Sequence, residues 1–284
     1  MESEGNVINY GNGIVCFKKA VEINYADVIE RIKPMEDEAK RKNFKFVYDE
    51  NGNEKYAINQ GGFQYSIEEV NAAPLRVENI PKDLADFFEN VTYEYLLRYI
   101  EIFPSILQCL WWKINGHILA YSPGGRLGVH SDNDVNYRYG NFPTQEHATR
   151  VVVSSVVFIN GHPQINSEPG ALEFSGGEFR FEYTNSIIKP ASGDILFFPA
   201  NYVGAHEVLP VINGKRYTYL SGFAQGSAQP EKAIDPQRNA EGSGGQVWLE
   251  TIVNDYESYL QSKYDGKIPD GLDKYKERPI DHQN

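Results

Sequence analysis

Five residues, spread over about a hundred positions of the 284-residue chain, have side chains and spacings suited to metal and anion chemistry: Tyr121, His130, Asp132, His206 and Arg216. His130 and Asp132 are two positions apart, and side chains two apart on a β-strand point to the same face. Both can therefore reach one metal ion, and His206 can supply a third ligand from a distant strand. Arg216 follows His206 by ten positions, and a guanidinium is suited to a bidentate grip on a carboxylate.

Two histidines and one carboxylate on one side of a metal form the arrangement used by non-heme Fe(II) oxygenases, which leave the opposite positions open. Together with a carboxylate-binding arginine, this set indicates a dioxygenase that uses 2-oxoglutarate. A lone His-x-Asp motif is equally compatible with a surface loop that makes a local hydrogen bond, so the interpretation depends on the context of the parts.

That context is a series of strands and turns. The stretch 121–132 indicates a strand end, a Gly-rich turn and then the ligand pair, and 190–199 indicates a turn into a buried strand. The stretch 206–219 indicates two strands joined at Asn213-Gly214, and Asn-Gly between apolar runs predicts a β-hairpin.

With these motifs in place, residues 119–224 resemble the catalytic core of the prolyl-4-hydroxylase-like branch of the Fe(II)/2-oxoglutarate dioxygenases. Tyr121 stands nine positions before His130, the first candidate ligand, as in that family. The remaining motif matches are Gly176-Gly177-Glu178 with Phe181, then Pro190, Gly193 and Phe198, then His206, Pro210, Val211, Gly214 and Arg216.

The resemblance implies Fe(II) ligands at His130, Asp132 and His206, and it implies that Arg216 and Tyr121 hold the far carboxylate of 2-oxoglutarate. Thr218 lies on the same strand face as Arg216 and is a further candidate for this carboxylate. The implied cofactors are Fe(II), 2-oxoglutarate as co-substrate and O2, with ascorbate as a supporting reductant, and the implied products include succinate and CO2. Asp132 favours hydroxylation, since halogenating relatives carry a small residue there; desaturation, epoxidation and ring formation stay open.

Two positions depart from the prolyl hydroxylase pattern. Arg216 stands where lysine is usual, and Phe179 stands where threonine usually follows the Gly-Gly-Glu turn. On these departures we expect a small-molecule substrate, an amino acid or a natural-product intermediate, with an unactivated C–H bond hydroxylated. Peptidyl-prolyl hydroxylation of a protein is the alternative.

We choose candidate substrate-binding residues by their position in the sequence relative to the predicted barrel. Loops at the mouth of a barrel commonly contact the substrate, which points to Asn133, Asp134 and Tyr137 directly after the ligand pair. Arg150 can meet a substrate carboxylate, and Trp112 can line the cavity, although a strand end and core packing explain these two equally well.

Composition limits the partners. A net charge of −12 argues against nucleic acid, because phosphate binding needs a basic surface. No apolar run is long enough for a membrane span, and the start lacks the pattern of a secretory signal. Cys16 and Cys109 do not form a disulfide framework, so we expect a cytoplasmic protein.

The pattern along the chain predicts an α+β protein with a mainly β core, a double-stranded β-helix (jelly roll) with flanking helices. We divide it into an N-terminal helical or mixed segment packing on the barrel (1–110), the double-stranded β-helix catalytic core (111–226), and a loop with a C-terminal helix and tail (227–284). Pro34 should interrupt any helix begun near Tyr25. Apolar spacings of three and four predict helices over 81–99 and 246–263, and 150–159 is the strongest predicted strand.

Two other classes share such a barrel. A cupin-like metalloenzyme or zinc protein usually shows His-x-His with a glutamate, a grouping this chain lacks. A non-catalytic binding module would have lost a ligand or the anchor, and all five positions are present.

Overall fold

The computed structural model describes residues 6–59, 64–76, 79–133, 150–163, 172–225 and 246–274. The α-helices in these ranges are α1 (Tyr25–Ile32), α2 (Glu36–Asn43), α3 (Lys82–Ile102) and α4 (Ile252–Lys263). The strands there are β1 (Val7–Gly11), β2 (Ile14–Phe17), β3 (Phe44–Tyr48), β4 (Glu54–Asn59), β5 (Gln64–Tyr65), β6 (Ala72–Arg76), β7 (Trp112–Tyr121), β8 (Leu127–His130), β9 (Arg150–Phe158), β10 (Ser175–Gly176), β11 (Phe179–Phe181), β12 (Ser186–Ile188), β13 (Ile195–Pro199), β14 (His206–Val208), β15 (Val211–Asn213), β16 (Arg216–Gln225) and β17 (Gln246–Trp248).

Two antiparallel sheets enclose the interior of the barrel. The major sheet has the order β1-β2-β13-β9-β16-β7-β17, with β6 also paired to β7, and the minor sheet has the order β12-β11-β14-β8. Alternate side chains of both sheets form one apolar cluster between them, which includes Phe158 and Phe198 from the major sheet and Phe179, Phe181 and Val208 from the minor sheet. The predicted double-stranded β-helix is confirmed.

Helix α3 covers the outer face of the major sheet. It begins directly after Pro81, as predicted, and continues three residues beyond the predicted end. Phe88 stacks on Tyr219 with ring centroids 5.0 Å apart, and Tyr99 stacks on Phe197 at 5.1 Å. Burial of each such aromatic side chain contributes about 1.5–3 kcal/mol, so this face holds the sheet rigid beneath the interior side chains.

The N-terminal segment contributes to the same sheet. β1 and β2 extend it beyond β13, and β6 pairs with β7. The helical part breaks into α1 and α2 around a 3-10 turn over Lys33–Met35, as Pro34 predicts. The division of the chain at residues 110 and 226 remains a proposal.

Two local predictions are corrected. The region predicted as one helix from Gln246 begins instead with β17, because the edge of β7 at Trp112–Ile114 offers it hydrogen bonds, and the helix begins only at Ile252. Asn213-Gly214 does form a turn, with Gly214 at a φ of 72°. The flanking strands do not form a hairpin in the described ranges, because β15 pairs with β10 while β16 lies in the major sheet.

The loop predicted at the start of the segment 227–284 lies outside the described residues as far as residue 245. None of the described helices combines the length and the apolar character needed to span a membrane.

Candidate metal centre

Three predicted ligands meet where β8 and β14 pair. His130 and His206 lie opposite each other in the antiparallel register, with ring centroids 4.4 Å apart. Asp132 Oδ1 lies 3.3 Å from His130 Nε2 and 3.9 Å from His206 Nε2. One ligand atom from each of the three residues falls within 4.8 Å of the others, close enough for a single ion to contact all three.

Backbone carbonyls fix the tautomers of both histidines. His130 Nδ1 lies 2.8 Å from the Gly128 oxygen, and His206 Nδ1 lies 3.0 Å from the Gly204 oxygen. A carbonyl only accepts, so each Nδ1 carries the hydrogen and each Nε2 keeps its lone pair for a metal. The donor set of two imidazole nitrogens and a carboxylate oxygen therefore fits Fe(II).

Protonation at neutral pH also suits a metal. Burial, with the nearby Asp132 charge opposing it, lowers the pKa of His206 to about 4, so the imidazole is neutral. Burial raises the pKa of Asp132, but the His130 hydrogen bond and the two histidines outweigh it and bring the pKa down to about 2. A neutral imidazole and an ionised carboxylate are the forms that bind metals.

Arg216 is wholly buried inside the barrel. Its Cζ lies 5.2 Å, 5.5 Å and 5.0 Å from the ring centroids of Tyr121, Phe158 and Phe179. Nη1 donates to Thr218 Oγ1 at 3.2 Å, whereas Nε and Nη2 have no hydrogen-bond partner among the described residues. Buried polar atoms are almost always paired, so two unpaired guanidinium nitrogens fit an arriving carboxylate.

Tyr121 lies directly opposite Arg216 in the pairing of β7 with β16. Burial raises the pKa of the Tyr121 hydroxyl to about 12 and lowers that of Arg216 to about 10. At neutral pH the tyrosine therefore stays a hydrogen-bond donor and the arginine stays charged. Thr218, also fully buried, adds a hydroxyl beside them.

Phe179 joins the metal cluster to the arginine. Its ring stacks on His206 with centroids 5.2 Å apart, and Arg216 lies 5.0 Å from the same ring. The Gly-Gly-Glu turn before it must stay small, because a Cβ on Gly177 would come within 2.9 Å of Arg216 Cδ. One aromatic ring thus contacts both the candidate metal site and the candidate carboxylate anchor.

The candidate substrate-binding residues do not gather at one place as the candidate metal ligands do. Asn133 donates its backbone N–H to the Ala200 oxygen at 3.0 Å, which ties the ligand loop to the end of β13. Trp112 is buried in a small cluster with Ala224. Arg150 begins β9, and Asp134 and Tyr137 lie outside the described residues.

Two residues near the cluster were not singled out from the sequence. Ser154, buried on β9, hydrogen-bonds to Asp132. His117 lies on the same face of β7 as Tyr121, and Asp132 acts on its charge, while burial and Arg76 lower its pKa to about 4. Strand alternation offers a sequence signal for His117, because side chains four positions apart on a strand share a face and His117 lies four positions before Tyr121.

Comparisons with known proteins agree with this site. Residues 116–223 match the sequence model of the 2OG-Fe(II) oxygenase superfamily. No match was found among curated proteins.

The chain is similar to several solved structures. They include a viral collagen prolyl hydroxylase from Paramecium Bursaria Chlorella virus-1 (14% identity, 76% of this chain and 97% of that chain, TM-score 0.45). They also include a Pseudomonas putida prolyl-4-hydroxylase (14% identity, 76% and 94%, TM-score 0.44). A third is a Trichoplax adhaerens prolyl hydroxylase in complex with a hypoxia inducible factor oxygen degradation domain peptide fragment (14% identity, 75% and 84%, TM-score 0.42).

The expected small-molecule substrate is corrected by this finding, since these structures are of prolyl hydroxylases, including one named for collagen and one holding a peptide fragment. The departures behind that expectation have a different physical reason. Phe179 and Arg216 contact each other within the barrel, so the two departures are joined by packing and do not by themselves indicate a substrate.

Residues 116–223, which hold the three candidate ligands and Arg216, thus match the 2OG-Fe(II) oxygenase superfamily, and this match supports an enzyme that uses Fe(II), 2-oxoglutarate and O2.

Proposed function

We propose that this chain hydroxylates prolyl residues of a peptide or protein substrate, with 2-oxoglutarate converted to succinate and CO2. The observation that carries the oxygenase chemistry is the arrangement around Phe179. Its ring contacts both groups: it stacks on His206 of the His–Asp–His cluster, and the buried guanidinium of Arg216, with two nitrogens that lack hydrogen-bond partners among the described residues, lies 5.0 Å from its centroid.

Each residue has a proposed role. His130, Asp132 and His206 hold Fe(II), and Arg216, Tyr121 and Thr218 hold the far carboxylate of 2-oxoglutarate. Bound Fe(II), with O2 and 2-oxoglutarate, supplies the oxidising power; one oxygen atom enters the substrate C–H bond and the other enters succinate. The protein fixes positions and excludes water from the anchor.

Exposure differs across the site in a way that supports a large substrate. The side chains of His130 and Asp132 keep 29% and 19% of their surface exposed, whereas Arg216 keeps none. A chain too large to enter the barrel can therefore approach the metal from the side of β8, while 2-oxoglutarate occupies the interior.

An exposed aromatic pair supports a proline-containing substrate. Tyr183 and Tyr202 are 63% and 71% exposed, and their rings lie 6.5 Å apart at 81°. Tyr183 follows Phe181, the strand partner of His206, and Tyr202 precedes His206 by four positions. Exposed aromatic rings at an angle are the usual contact surface for extended proline-rich chains.

The cofactor assignment is tested by anaerobic titration of the protein with Fe(II) and 2-oxoglutarate, followed through the visible charge-transfer band. The wild type should develop the band, His206→Ala should not, and Arg216→Ala should need much more 2-oxoglutarate. A well-folded, metal-loaded wild type without a band would refute the assignment.

The substrate class is tested with proline-rich peptides and matched peptides in which alanine replaces proline. We expect succinate release and one added oxygen atom, by mass spectrometry, with the proline-containing set alone. Equal turnover of both sets would refute prolyl specificity.

The tyrosine pair is tested with the Tyr183→Ala/Tyr202→Ala double variant. We expect a higher KM for the peptides with unchanged 2-oxoglutarate affinity. Tyr48→Ala is the matched control, because Tyr48 is similarly exposed, at 56%, but lies on β3 of a separate three-stranded sheet. An unchanged peptide KM in the double variant would exclude the pair from substrate binding.

A further inference from the structure

The residues on either side of Arg216 are held from two separate parts of the chain. Asn160, buried just after β9, donates from Nδ2 to the Lys215 oxygen at 2.8 Å and accepts at Oδ1 from the Tyr217 N–H at 2.8 Å. The same Nδ2 donates to the Leu172 oxygen at 2.8 Å. One side-chain amide thus fixes the backbone immediately before and after Arg216.

Glu36 of α2 holds the side chains of the same two neighbours. Its Oε2 pairs with Lys215 Nζ, and its Oε1 accepts from the Tyr217 hydroxyl at 2.7 Å. Because alternate side chains of a strand face opposite ways, Lys215 and Tyr217 lie on the outer side of β16 while Arg216 points into the barrel. The buried Glu36 carboxylate therefore contacts β16 from behind the anchor.

The guanidinium itself has little to orient it. Its hydrogen bond to Thr218 is its single one among the described residues, and its other neighbours are aromatic rings. Rings attract a cation without fixing the direction of its N–H groups, whereas bidentate recognition of a carboxylate requires that direction. The direction must come from the backbone at residues 215–217.

We propose that Asn160 and Glu36 are positioning residues for Arg216, and that through Glu36 the N-terminal segment forms part of the 2-oxoglutarate site. The proposal rests on the role of Arg216 given above. Neither residue contacts the co-substrate; each acts by holding the strand from which the guanidinium projects.

The experiment uses the full-length chain loaded with Mn(II), with calorimetric titration of 2-oxoglutarate into wild type, Asn160→Ala and Glu36→Gln. The dissociation constant for 2-oxoglutarate should rise about tenfold in Asn160→Ala and by a smaller factor in Glu36→Gln, since indirect supports of a binding group typically contribute at this level. The Mn(II) dissociation constant should stay at its wild-type value in both variants.

A matched control separates positioning from general stabilisation. Glu101 on α3 also binds a lysine and tyrosine hydroxyls, those of Lys263, Tyr259 and Tyr264, and all of these lie on or beside α4. Glu101→Gln should lower the Tm as Glu36→Gln does but leave the 2-oxoglutarate affinity unchanged.

Wild-type 2-oxoglutarate affinity in Asn160→Ala and Glu36→Gln, alongside lost affinity in Arg216→Ala, would overturn the inference and leave the proposed function intact. An equal loss in Glu101→Gln would also overturn it. If Asn160→Ala does not fold, Glu36→Gln decides, because it keeps an acceptor for Tyr217. The proposed function fails separately if the wild type does not bind 2-oxoglutarate or if Arg216→Ala binds it equally well.

Discussion

The candidate metal cluster and the candidate arginine anchor both contact Phe179, yet they are built differently. The cluster stands at the pairing of two short strands, and His130 and Asp132 reach solvent. The anchor stands on a long strand in the middle of the major sheet and is wholly enclosed. Under the proposed function, the side that admits the substrate is open, whereas the side that holds the 2-oxoglutarate carboxylate carries a buried charge before the co-substrate binds, at a cost to stability.

The largest effect should come from His206→Ala, which removes a ligand from the cluster. We expect metal affinity to fall by at least about a hundredfold, beyond what indirect supports contribute, and hydroxylation to cease. Val129→Ala is the control on β8, because that side chain is exposed and lies outside the three ligands. Wild-type metal binding in His206→Ala, by calorimetry, would contradict the assignment.

Arg216→Met should separate the two regions most clearly. The affinity for 2-oxoglutarate should fall about a hundredfold, while the free energy of unfolding without ligand should rise by about 1–3 kcal/mol, because a buried charge with two unpaired nitrogens is removed. Calorimetry and urea denaturation measure the two quantities. A loss of metal affinity in this variant would show that the regions are not separable.

Phe179→Leu tests the ring that the two regions share. The variant keeps an apolar side chain but loses the aromatic contacts with His206 and Arg216, each of which contributes about 0.5–2 kcal/mol. Metal and 2-oxoglutarate affinities should both fall by roughly threefold to tenfold. A change in one affinity alone would assign Phe179 to a single region.

Tyr121→Phe removes one hydroxyl from the anchor and nothing from the cluster. The net contribution of such a hydrogen bond is about 0.5–1.5 kcal/mol, so the 2-oxoglutarate affinity should fall by roughly threefold to tenfold. Metal affinity, titrated in the same experiment, should not change; a parallel loss would contradict the placement of Tyr121.

The smallest effect should be that of pH on the anchor. Burial lowers the pKa of Arg216 to about 10 and raises that of Tyr121 to about 12, so below pH of about 9 the arginine stays charged and the tyrosine stays protonated. Metal-saturated protein should therefore bind 2-oxoglutarate equally well between neutral pH and pH of about 9. The affinity should decline only above that range. A decline beginning near neutrality would show that another group titrates in the anchor.

Much of the candidate site can be predicted from short-range patterns in the sequence. The two-residue period of a strand brings His130 and Asp132 to one face, and the spacing of apolar residues after Pro81 defines α3. The pairings across the sheets are different, because the partner of a strand depends on long-range contacts. The Asn213-Gly214 turn has the local signature of a hairpin, yet its strands join different sheets, and nothing within the turn could indicate this.

The contacts of Phe179 also could not be predicted from its position in the sequence motif. Read as a motif position, it suggested a change of substrate; in the fold it packs against His206 and Arg216. His117 shares a face with Tyr121 by strand alternation, but its distance from the cluster depends on the register of β7. The register in turn depends on pairing with β6 and β16, which lie far away in sequence.

The N-terminal strands and the strands of the core belong to one sheet, so the core cannot be cut out without exposing strand edges. A fragment cut to residues 116–223 would lack β2 and β6, whose backbone hydrogen bonds cover β13 and β7. Its β13 and β7 would become bare apolar edges, the kind of surface through which copies of a chain pair and aggregate. A fragment that keeps β13 covered must therefore begin no later than β2, well before the stretch that matches the family model.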